Sequence, residues 1–109
     1  MIEQVAQLWF YLLVAHAVAD RGLQPERLSR QKQRPTNPVT TWFPNLACHG
    51  LIHGGAVAIA TGVWWLGVLE TGAHMLIDDS KAMGRINLWE DQVLHLLCKV
   101  IWLMVVICR

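Results

Sequence analysis

Four apolar stretches run along the chain, and each is interrupted by ionisable residues one helical turn apart. The first predicts a helix over about 3–20, with Leu8-Trp9-Phe10-Tyr11-Leu12-Leu13-Val14-Ala15 apolar on every side, as in a membrane span. A polar stretch over 21–41 follows, holding Arg21, Arg27, Arg30, Lys32 and Arg34 with Pro25, Pro35 and Pro38. It reads as a basic loop, with a short surface helix starting at Gln24-Pro25. The remaining stretches predict helices over about 42–60, 63–81 and 87–108, with Thr61-Gly62 and Gly84 as breaks and Asn87 as an N-cap. The pattern is that of one all-α domain, 1–109: a four-helix, up-down-up-down transmembrane bundle. Its spans are close to the ~20 residues a bilayer requires.

The polar interruptions are not scattered. They form the pairs His16/Asp20, His49/His53, His74/Asp78 and Asp91/His95, which take in every histidine and three of the four aspartates. A spacing of four puts both members on one face of a helix. The first and third pairs lie near C-terminal helix ends, the second and fourth near N-terminal ends. In an alternating bundle those four ends share one side, so all four pairs converge into a polar, metal-binding cluster at one end. Glu70 and Lys99 continue the stripes of the third and fourth helices, about 12 Å deeper at ~1.5 Å per residue. They are expected to form a buried ion pair, unless Lys99 extends to an interface instead.

Composition narrows the function classes. An apolar share of 54 %, a charged share of 16 % and a net charge of +1 leave no basic face for nucleic acid. Cys48, Cys98 and Cys108 are odd in number and widely spaced, so they do not form a disulfide framework. Five of the nine Lys and Arg lie in the first loop, and Lys81 and Arg85 lie in the third. The positive-inside rule then places the ligand side in the cytoplasm. The lipid bilayer is the expected partner, and the small residues Gly54, Gly55, Ala56, Ala58 and Ala60 leave room for a homodimer.

Buried imidazoles and carboxylates near lipid are costly without a cation to hold them. The expected ligands are His16, Asp20, His49, His53, His74, Asp78, Asp91 and His95. Eight exceed one tetrahedral set, so two bridged ions are expected, or one ion with aspartates orienting the histidines. Nitrogen and oxygen donors without thiolate suit zinc first, with manganese and iron as alternatives.

His16-Ala-Val-Ala-Asp20 with Leu23-Gln24-Pro25, Leu46-Ala-Cys-His49-Gly-Leu-Ile-His53, Ala73-His74-Met-Leu-Ile-Asp78 with Lys81, and Asp91-Gln92-Val-Leu-His95 follow one another across nearly the whole chain. In that order they resemble the domain-of-unknown-function family 3307, small membrane proteins of phage and bacteria. Arg21 departs from the pattern, where an apolar residue is expected. The resemblance implies no activity. Membrane-bound metal-dependent hydrolases also use His and Asp on spanning helices, a likeness at the level of fold.

The leading expectation is a metal-dependent hydrolase acting on an amphiphilic phosphate or ester at the cytoplasmic face. Asp79 and Lys81 are its candidate catalytic groups, and Arg21 and Arg85 its candidate substrate-binding groups. Metal-ion transport or sensing is the alternative, although Lys99 would repel a cation moving deeper. An accessory protein with a structural metal is the third reading.

Overall fold

A computed structural model describes residues 1–109 and is all-helical. Helix α1 covers Ile2–Ala17 and runs on through a π turn, Val18–Gly22. A short α2, Glu26–Gln31, and a 3-10 turn, Arg34–Thr36, occupy the basic stretch. Helices α3, Val39–Thr61, α4, Trp64–Ala82, and α5, Leu88–Cys108, complete the chain.

The helix boundaries follow from local chemistry. Helix α3 begins at Val39, about a turn earlier than the expected start near 42, because Pro38 holds the extended N-cap conformation. Pro44 therefore lies inside the helix rather than in its first turn, at the cost of one backbone hydrogen bond. Asn45 Nδ2 donates to the Thr41 carbonyl at 2.7 Å beside it. Gly62 closes α3 at φ 71°, the left-handed conformation that glycine adopts without strain. Asn87 opens α5 with a reciprocal cap: Glu90 N–H donates to Asn87 Oδ1 at 2.8 Å, and Asn87 N–H to Glu90 Oε1 at 3.0 Å.

The long helices close into a ring in which α1 packs on α3, α3 on α4, α4 on α5 and α5 on α1. Neighbours are antiparallel. His16 meets His53 and His95, and Asp20 lies by His49, while Leu12 reaches Val57 and Trp102. The α3–α4 contact is the tightest. A Cβ on Gly67 would stand 2.5 Å from the Gly54 carbonyl oxygen, and one on Gly50 2.7 Å from Met75 Cγ. Gly50 and Gly54 are thus used within the chain, whereas nothing lies near Gly55. Helix α2 and the 3-10 turn sit against α3 and α4 at one end of the ring.

The interior is polar and the exterior apolar. Of 20 buried residues, ten are His16, Lys32, His49, His53, Glu70, His74, Asp78, Asp91, His95 and Lys99. The main apolar cluster, Leu12, Val57, Val63, Leu66 and Trp102, lies below the histidines, and Ala19 and Leu46 are the other buried apolar side chains. Phe10, Ile59, Trp64, Leu76 and Trp89 point outward and are exposed. Two helices, Ile2–Gly22 and Leu88–Cys108, are long and apolar enough to cross a membrane. The other two of the four expected spans fall short, because α3 carries threonines, asparagine and two histidines, and α4 carries Glu70, Asp78, Asp79 and Lys81.

Candidate metal centre

Five imidazoles meet at one level of the ring. His53 and His74 stack with centroids 3.6 Å apart, and His74 and His95 with centroids 4.1 Å apart. His49 stands edge-on to His53 at 4.7 Å and to His74 at 4.9 Å. His16 lies 5.3 Å from His53 and 5.6 Å from His95. The helical period delivers each: His49 and His53 from one face of α3, His74 from α4, His95 from α5 and His16 from the last turn of α1. Both ring nitrogens of all five histidines are buried without a hydrogen-bond partner.

Carboxylates ring the histidines. The π turn widens the end of α1, closing with Leu23 N–H donating to the Val18 carbonyl at 2.8 Å. It presents Asp20, whose Oδ1 lies 3.6 Å from His53 Nε2 and 3.7 Å from His49 Nε2. Asp78 Oδ2 lies 3.7 Å from His49 Nε2 and 3.9 Å from His74 Nε2. Asp91 Oδ1 lies 3.3 Å from His95 Nε2.

Two donor groups are compact enough to hold an ion. In the first, one atom each from Asp20, His49, His53 and His74 lies within 4.8 Å of all the others; in the second, His74, Asp78 and His95 do. The first is a complete four-donor set of three nitrogens and one oxygen, the number a tetrahedral ion takes. His74 is common to both, so the two groups share a ligand. His16 and Asp91 fall outside both and border them.

Cations and a deeper network complete the surroundings. Lys32 is buried and donates to Asp78 Oδ2, reaching in from the basic stretch. Lys81 Nζ lies 3.6 Å from Asp91 Oδ2. Below the histidines, Lys99 Nζ donates to Glu70 Oε1 at 2.5 Å and Trp102 Nε1 to Glu70 Oε2 at 2.6 Å, all buried. Glu70 Oε1 also lies 3.6 Å from His74 Nδ1.

A cavity of about 380 Å³ opens between the cluster and α2. Asp20 and Asp78 line it together with Arg21, Lys32, Lys81, Gln24 and Gln92. Asp79 and Arg85, expected beside the site, do not line this cavity. Asp79 is held by Arg34 Nη2 at 3.0 Å, on the neighbouring face of α4. Arg85 is exposed past the end of α4 and makes no ion pair.

Sequence reasoning missed Lys32, Trp102 and the two glutamines. Trp102 had a signal, because it continues the Asp91/His95/Lys99 stripe by one further turn. Lys32 had none, since one lysine in a basic stretch looks like its neighbours.

No curated protein and no solved structure matches this chain. One family model does match, over residues 8–108, a range that takes in all four pairs, the π turn and the cavity. The chain belongs to the family described as protein of unknown function (DUF3307).

Proposed function

We propose that the chain is an integral membrane metal-binding protein of the bacterial inner membrane and a metal-dependent hydrolase of amphiphilic phosphates or esters. One observation carries the metal centre: ten buried imidazole nitrogens without a hydrogen-bond partner, faced by carboxylates. Each unsatisfied buried polar atom costs on the order of 1–3 kcal/mol, so the cluster needs a cation to offset its burial. Asp20, His49, His53 and His74 form the primary site. Lys32 neutralises Asp78, which weighs against a second ion in the group of His74, Asp78 and His95. Zinc fits the mixed donor set best, with manganese and iron as alternatives.

The inverted distribution of polarity supports the membrane reading. A polar interior with an apolar exterior suits a bundle of four spanning helices in lipid, where buried ionisable groups mark functional sites. Lys81, Arg85 and the basic stretch lie at the cluster end, which the positive-inside rule assigns to the cytoplasm.

Hydrolysis rests on the cavity. A bound divalent ion supplies hydroxide near neutral pH and polarises a phosphoryl or carbonyl oxygen. Asp20 and Asp78 connect the histidines to the cavity, and Arg21, which makes no ion pair there, supplies positive charge for an anionic substrate. The test is release of inorganic phosphate from vesicles containing a phosphomonoester lipid, or of fatty acid from ester lipids. Metal-loaded protein releases one of them and chelator-treated protein does not; release of neither contradicts the hydrolase. A structural metal is the second reading, favoured by how completely the first donor group closes on itself.

A further inference from the structure

We infer that the substrate is a phosphate-headed lipid whose chain lies in the apolar groove between α1 and α3, with its headgroup in the cavity under α2. The inference rests on the hydrolase reading for its chemistry, but the binding site stands on its own geometry. The groove has a volume of about 610 Å³, and its walls are almost wholly apolar. Val14, Val18 and Leu23 form one wall, and Leu51, Gly55 and Ile59 form part of the other. From Leu51 to Ile59 it runs ~12 Å along α3 at ~1.5 Å per residue, away from the cluster.

Cavity and groove both border the π turn, with no lining residue in common. Val18 and Leu23 line the groove, while Asp20, Arg21 and Gln24 line the cavity, so one short stretch, 18–24, walls both. An amphiphile held there has its polar end beside Asp20 and its chain against the helices. Three cations and two carboxylates line the cavity, and one of the cations is left to meet an anion. Lys32 is engaged by Asp78 and Lys81 approaches Asp91, but Arg21 makes no ion pair. Gln24 Oε1 is buried without a partner, and Gln92 Nε2 reaches Asp91 at 3.0 Å. Arg21 is the free cation at the headgroup, and a phosphate offers the acceptor oxygens it lacks.

Gly55 provides the test of the groove. No heavy atom lies within 4 Å of a Cβ placed there, and Gly55 lines the groove, so Gly55→Leu puts its side chain into that space. Dodecyl phosphate and inorganic phosphate are titrated calorimetrically into the detergent-purified chain, against protein-free micelles. The expected result is saturable binding of dodecyl phosphate, roughly a hundredfold tighter than phosphate because of the buried chain. Arg21→Ala weakens both ligands roughly tenfold, the loss of one charge-assisted contact. Gly55→Leu weakens only dodecyl phosphate, and Ala56→Phe serves as a second groove-filling variant should Gly55→Leu not fold. Equal affinities for the two ligands, or groove variants that bind dodecyl phosphate normally, overturn the inference. Metal content measured on the same samples separates the two claims: chain without metal that still binds dodecyl phosphate sinks the hydrolase alone, and metal-loaded chain that ignores it sinks this inference alone.

Discussion

His53 and His74 stack face to face with ring centroids 3.6 Å apart and planes 19° from parallel, although neither ring has a hydrogen-bond partner. They come from α3 and α4, the two helices brought closest by facing glycines. Backbone approach at Gly54 and Gly67 therefore sets the spacing of the imidazoles. Gly67→Ala should separate the helices, since its Cβ would stand 2.5 Å from the Gly54 carbonyl oxygen. Expected are a destabilisation of about 1–3 kcal/mol, the usual range for overpacking, and weaker metal binding. Thermal unfolding with metal titration checks both.

The Glu70–Lys99 pair is buried on both sides and is reinforced by Trp102. Removing one partner leaves an uncompensated charge, a loss of about 3–5 kcal/mol in buried pairs. Glu70→Gln and Lys99→Met are each expected to unfold the chain or lower its melting temperature sharply. The double variant should recover much of the loss, because no lone charge remains. A double variant no better than the worse single one would refute mutual neutralisation.

Lys32 holds Asp78 in a cluster that has donors for a second ion. Lys32→Ala frees that carboxylate. The bound metal is expected to rise from about one equivalent towards two, the usual complement of bridged carboxylate–histidine sites. An unchanged stoichiometry would show that the shared His74, rather than Lys32, limits the second group.

The apolar exterior predicts that the chain stays in the membrane pellet after carbonate extraction and needs detergent for release. Recovery in the aqueous fraction would remove the bilayer from the account.

Much of this arrangement was legible in the sequence because helices convert spacing into direction. The pairs four apart fixed which side chains share a face, and alternating helix direction brought them to one level. Glu70 and Lys99 followed from the same reasoning. What the spacing could not carry was the basic stretch. Lys32 reaches Asp78 across a loop whose path depends on α2 and the 3-10 turn, and no periodicity marks that contact. The π turn was equally hidden: Asp20 keeps the spacing of an ordinary helix, yet the backbone widens beneath it. Asp79 shows the opposite limit. It was a candidate catalytic group beside Asp78, but adjacent helical residues point about 100° apart, and Asp79 turns to Arg34 instead.

The most direct test is the metal content of the detergent-purified chain by mass spectrometry, wild type beside His53→Ala. About one equivalent of zinc, manganese or iron in the wild type, lost in the variant, is the predicted result for a tetrahedral centre built on Asp20, His49, His53 and His74. A folded wild-type chain that holds no stoichiometric metal, even after reconstitution with each ion, would contradict it and leave the histidines as a structural polar core.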